Sequence, residues 1–190
     1  AFVPAALRLS ELCSTISPAK ARNVLLQSWK HTPHDRIATA YMALFRDKTP
    51  KERLREAKRL LKLQPNTVPT HKVIARAALD AKDYTLAQSH LQSALSHGES
   101  QALCRLMAEF ERSNPQGTSH KADEWELRAS YAQADPVWVC TSCGTVEEHW
   151  TLSCSHCTAL DTSIWASPDT VRVSKEKEVT TQETLMLSAA

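Results

Sequence analysis

Glycine is nearly missing from this chain: Gly98, Gly117 and Gly144 are the only three in 190 residues. A mainly β domain needs many tight turns with left-handed residues, so scarce glycine favours helix over that class. No apolar run reaches the roughly 18 residues that mark a membrane-spanning helix. The opening stretch AFVPAALRLSELC has no basic leader region and carries charge early, so no secretory signal is expected in it. An excess of one charge is missing too. Lys and Arg number 23 against 21 Asp and Glu, a net charge of +2. The whole chain is therefore not expected to bind nucleic acid electrostatically. Catalytic signatures are absent: there is no nucleophile elbow, no phosphate-binding loop, no His-Glu-x-x-His and no Gly-x-Gly-x-x-Gly for a flavin dinucleotide. No enzyme activity is expected.

What is present is helical. Ala, Leu, Lys, Arg, Glu and Gln dominate, and the helix boundaries are legible. Ser17 before Pro18 reads as an N-cap followed by a first-turn proline. Thr49, Pro50 and Glu52 read as a capping box. Gly98 reads as a helix stop. Pro33, Pro65, Pro115 and Pro136 fall between periodic segments.

A period of 34 residues relates LLKLQPN, residues 60 to 66, to ALSHGES, residues 94 to 100. Between them, HKVIARAALDAKDYTLAQSHLQSAL reads as two helices around a short turn. Ile74, Ala75 and Ala78 share one face of the first helix. Ala87, Leu91, Ala94 and Leu95 share one face of the second. Small residues at a helix crossing allow close approach, and larger ones fill the groove. Tyr84, Ala87 and Leu91 resemble the tetratricopeptide pattern. Four hairpins are expected, over residues 4–33, 34–67, 68–101 and 102–135. The second carries Tyr41 where a small residue is usual, and the fourth has an enlarged turn, SNPQGTSH. Stacked hairpins would bury the faces that each leaves open, giving a helical solenoid with a concave face for a protein or peptide. An unrelated helical bundle is the alternative. Arg76, Arg105 and Arg112 are candidates for the concave side.

Six cysteines fall into two groups. Cys13 and Cys104 sit alone in apolar helical patterns and read as small buried hydrophobes. Cys140, Cys143, Cys154 and Cys157 form C-x2-C-x10-C-x2-C over residues 136–168. Two facing Cys-x-x-Cys turns can supply four thiolates to one tetrahedral ion. Gly144 suits such a turn, whereas Thr158 stands at the matching place in the second. About 30 residues cannot bury enough apolar surface to fold alone, and structural zinc contributes about 10–16 kcal/mol of apparent binding free energy. Structural zinc is the expectation. Iron is less favoured, and a redox dithiol is a further alternative. A closed four-thiolate shell leaves no open position for metal catalysis. His149 and His156 lie within the cluster but outside that shell. Trp138, Trp150 and Trp165 are expected to pack the ribbon.

The frame DPVWVCTSCGTVEEHWTLSCSHCTALDTSIW, following helical hairpins, resembles the C-terminal part of alphaproteobacterial HemY-type proteins. LapB-type proteins share the architecture of repeats joined to a rubredoxin-like four-Cys module. The resemblance implies an all-α tetratricopeptide-like solenoid over 1–135 and a small rubredoxin-like zinc-ribbon β module over 136–168. It implies an adaptor at the bacterial inner membrane, associated with haem biosynthesis or, in the LapB manner, with lipopolysaccharide regulation. The repeats and ribbon would face the cytoplasm, and any membrane contact would be made through an anchor that this chain lacks. A haem or porphyrin carrier and an iron-based electron carrier are the other readings. The eight histidines include no Cys-x-x-Cys-His attachment motif. Glu147 and Glu148 at the ribbon tip have the wrong sign for phosphate. Residues 169–190 read as a mostly disordered tail, with a short helix docking through Leu185 and Leu187.

Overall fold

The computed structural model describes residues 2–171, and the tail expected over 169–190, with Leu185 and Leu187, lies outside them beyond Val171. The chain divides into two compact units, Ala1–Asp135 and a second that begins at Pro136. The fold class is the expected one: among the described residues there are eight helices, then a small three-stranded sheet with four cysteines.

The helices of the first unit are α1 Val3–Ser14, α2 Pro18–His31, α3 Asp35–Ala43, α4 Pro50–Leu63, α5 Val68–Asp80, α6 Tyr84–Leu95, α7 Gln101–Ser113 and α8 Ser119–Tyr131. Local chemistry fixes their starts. Ser17 caps α2 through the Lys20 N–H, and Thr49 and Glu52 close a reciprocal capping box on α4. Each helix from α4 to α8 begins with a Thr, Asp or Ser side chain accepting an amide of its own first turn. Gly117, in the enlarged turn between α7 and α8, is a steric requirement. A Cβ there would lie 1.9 Å from the Glu111 carbonyl oxygen.

The core follows the small-and-large pattern of the helices. Ile74, Ala75 and Ala78 of α5 and Ala87, Leu91 and Ala94 of α6 are fully buried, while Leu95 is only half-buried. The alanines remove bulk at the crossing and the Leu and Ile side chains fill the space beside it. The second hairpin is built differently. Tyr41 is buried in α3, its hydroxyl 3.2 Å from the Glu56 carboxylate of α4 and its ring 5.2 Å from that of Phe45. Helix α3 stops after nine residues.

Polar ties join distant parts of the unit. Lys72 lies 3.2 Å from Asp35 and 3.4 Å from Asp135. Asp135 also accepts from the Ser100 hydroxyl and the Ala102 amide, at 2.8 and 2.6 Å, and so completes the start of α7. Of the candidate groove arginines, Arg76 pairs with Glu109 and Arg112 with Glu126. Cys104 is buried, and burial together with nearby Glu99 pushes its thiol pKa up, as suits an inert packing residue. Cys13 is half-buried.

In the second unit, β1 Val137–Cys140 is the middle strand, paired antiparallel with β2 Val146–Glu147 on one side and β3 Ser163–Ala166 on the other. The register sets Trp138 opposite Trp165, and their rings meet edge to face at 5.2 Å. Trp150 is half-buried. A 3-10 turn, Pro168–Thr170, follows β3.

Candidate metal centre

The four clustered thiols are held by two turns of the same design. In the first, the Gly144 amide donates to the Cys140 carbonyl at 2.8 Å, and the Cys140 amide donates to the Thr145 carbonyl at 2.9 Å. In the second, the Thr158 amide donates to the Cys154 carbonyl at 3.1 Å, and the Cys154 amide to the Ala159 carbonyl at 3.0 Å. The residue after each second cysteine takes a left-handed conformation: Gly144 at φ 78° and Thr158 at φ 58°. The absence of a second glycine does not change the turn. It places a β-branched residue where such residues are strained.

The two turns face each other. Cys140 Sγ lies 3.7 Å from Cys157 Sγ, and Cys143 Sγ lies 3.6 Å from Cys154 Sγ. All four sulfurs lie within 4.8 Å of one another. A disulfide needs about 2.05 Å, so all four are free thiols. A tetrahedral zinc with bonds of about 2.3 Å would place its sulfurs about 3.8 Å apart. The observed pairs fit that spacing. Among the described residues this is the one set of three or more potential ligand side chains that converges in this way. His149 and His156 are exposed and outside it; His149 lies 3.7 Å from the Glu148 carboxylate.

The surroundings of Cys140 and Cys143 favour thiolate. The Thr162 hydroxyl is 3.1 Å from Cys140 Sγ, and the Thr145 hydroxyl is 3.1 Å from Cys143 Sγ. Burial works against ionisation of Cys140, but the Thr162 hydroxyl and the amides of Cys143 and Ser142 outweigh it and bring the pKa down to about 6. The Thr145 hydroxyl and amide lower that of Cys143. Cys157 goes the other way. The Ala159 amide favours its thiolate, yet burial and the three neighbouring sulfurs push it up to about 11. Four adjacent thiolates repel, so the full set needs a cation among them.

Spacing alone exposes the four ligands. It does not expose Thr145, Thr162 or the contact of Glu147 with Ser155. Thr162 reaches Cys140 through the antiparallel pairing of β1 with β3, from 22 residues away in sequence, and Glu147 reaches Ser155 from eight residues away.

Fold and cluster together define a helical module followed by a small β module whose four thiols are capable of coordinating one metal ion. No family model matches the chain. It is distantly related to a protein of Magnetospirillum gryphiswaldense described as "Probable magnetosome protein Mms48", with 30% identity over 165 residues. The match covers 86% of this chain and 37% of that relative, so the chain spans little more than a third of the relative's length. These findings correct several expectations. The HemY-type and tetratricopeptide labels and the link to haem biosynthesis are not supported: no family model matches, and the relative carries a magnetosome description. No helix among the described residues is long and apolar enough to cross a membrane, so the membrane-associated expectation finds no support in them. The physical reason is that both motifs are generic. Ala and Leu at helix crossings and paired Cys-x-x-Cys turns are imposed by packing and by tetrahedral coordination, so they recur in unrelated proteins.

Proposed function

We propose that the chain is a non-catalytic adaptor: its helical unit binds a protein or peptide, and its four-thiolate module holds a structural zinc ion. The carrying observation is the convergence of four sulfurs at tetrahedral spacing. Cys140, Cys143, Cys154 and Cys157 would hold the ion, which when bound acts as a crosslink for a module too small to fold on apolar burial alone. A four-thiolate shell is closed, so the ion serves structure rather than catalysis. The four-Cys cluster, taken with the distant magnetosome relative, supports a general metal-binding adaptor role, and neither supports a haem-biosynthesis scaffold.

Metal analysis of the purified protein tests the first half. One zinc per chain, lost in the Cys140→Ser/Cys154→Ser variant, is the expected result. A coloured protein with one iron per chain would replace the structural reading with an electron-carrying one. Affinity capture followed by mass spectrometry tests the second half. A protein partner retained by the zinc-loaded chain is expected, and capture of no protein would sink the adaptor reading.

A further inference from the structure

Helix α4 has an unusual outer face. Lys51, Arg55, Lys58 and Lys62 stand at i, i+4, i+7 and i+11, and all four are exposed. At 100° per residue they fall within about 60° of the helix circumference, and they run for about 16 Å along it. The opposite face, with Leu54, Ala57 and Leu60, is buried in the core of its unit. None of the four cations forms an ion pair among the described residues; the neighbouring Arg59 does, with Glu56 at 2.9 Å. Like charges three and four residues apart work against the helix that carries them. A helix whose own charges oppose it is a local conflict that points to use.

We propose that this face of α4 is a docking stripe for an acidic polypeptide segment. The proposal rests on the adaptor reading and names the chemistry of a partner. The stripe has no aromatic residue on which a base could stack, so single-stranded nucleic acid fits poorly. A membrane-surface helix must put its apolar face into the lipid, and that of α4 is already buried, so a bilayer fits poorly as well. A partner helix with carboxylates at i, i+4, i+7 and i+11 would meet the four cations one for one. Charge complementarity of this kind steers encounter and selects the partner.

The test uses the zinc-loaded full chain and a fluorescein-labelled alanine-based peptide with Glu at those four spacings, followed by anisotropy. Binding is expected at low salt, weakening toward about 150 mM salt as the charges are screened. Lys51→Glu/Lys58→Glu should lower the affinity by about tenfold or more, while Lys121→Glu on α8 should leave it unchanged. Both changes are at exposed sites, and circular dichroism verifies that the helices persist. Equal binding of a Gln-substituted peptide would overturn the proposal. So would an unchanged affinity in the double variant, or tighter binding of a short DNA duplex or of phosphatidylserine vesicles than of the peptide. Zinc content is read in the same samples. A chain that keeps its zinc and captures its partner but ignores the peptide overturns the stripe alone, leaving the adaptor reading in place.

Discussion

The Glu147 carboxylate accepts two hydrogen bonds from Ser155, one from the backbone N–H at 3.0 Å and one from the hydroxyl at 2.6 Å. Ser155 lies inside the second Cys-x-x-Cys turn, and Glu147 closes strand β2, which follows the first. One side chain therefore ties the two turns together without touching a sulfur. The same bonds, the Ser155 hydroxyl first, hold the Glu147 pKa below the usual carboxylate range. Partners of this kind govern how long a site holds its ion. Glu147→Ala should speed zinc release to a chromogenic chelator by about 10–100-fold. Glu147→Gln keeps an acceptor oxygen and should fall between the two. A release rate unchanged in Glu147→Ala would show that the turns are held by their backbone bonds alone.

Thr158 sits at φ 58° where its counterpart is Gly144 at φ 78°. A left-handed residue with a Cβ costs about 1–2 kcal/mol, and branching at Cβ adds to the crowding. Thr158→Gly should raise the stability of the zinc-loaded module by about 1 kcal/mol, offset in part by the greater freedom of glycine in the unfolded chain. Gly144→Ala should shift it the other way. Denaturant midpoints of the second unit, followed by tryptophan fluorescence, check both signs.

Much of this architecture is legible in the sequence. Ser17, Thr49 and Glu52 announce their helix starts because capping is local chemistry within four residues. The four ligands announce themselves because a turn can present two thiols only at a fixed spacing. Tyr41 was visible as an exception to the repeat, but not its consequence, because its partner Glu56 stands 15 residues away on another helix. Gly117 gave no sign of its contact with the Glu111 carbonyl, which depends on how the α7–α8 turn folds back. The left-handed conformation of Thr158 ran against residue preference, since paired backbone bonds across the turn override a local steric bias.

His71 and His90 bring their Nδ1 atoms to 2.9 Å, and the ring of His97 stacks on His71 at 6.3 Å. Such a bond needs one donor and one acceptor, so the accepting ring is neutral. Among the described residues, His71 Nε2 is buried with no partner. A bare nitrogen is cheaper there than an N–H, which makes His71 the donor and His90 the acceptor. Burial, then His90 and His97, lowers the His71 pKa. Burial, then Lys58, lowers that of His90. Burial also lowers that of His34, where Asp35 opposes it. The unfolded chain takes up protons near the ordinary value of 6.5, before the folded chain does. The contribution of these residues is thus fully present above about pH 6.5 and is lost as pH falls through their folded values. Thermal melts of the helical unit should show Tm declining from about pH 6.5 downward, and His71→Phe/His90→Leu should flatten that decline. A decline of the same size in the double variant would assign the acid sensitivity to other groups.

Trp29 of α2 is fully buried, and its Nε1–H donates to the Leu60 carbonyl of α4 at 3.1 Å. That carbonyl also accepts the Gln64 amide at the end of α4, so the indole is a second bond to an oxygen that already has one. Two contributions can then be separated. Trp29→Phe removes the indole donor but leaves the carbonyl satisfied, and should cost about 1–2 kcal/mol from the lost bond and the smaller ring. Trp29→Ala leaves a cavity between α2 and α4 and should cost about 3–5 kcal/mol. Urea midpoints of the helical unit measure both, and zinc content should be unchanged, because both substitutions lie within the first unit. Since α4 carries the basic stripe, the alanine variant also asks whether that helix needs its seat on α2. If it does, peptide affinity falls along with stability, whereas a stripe that works as a free-standing charged helix would keep its affinity until the unit unfolds.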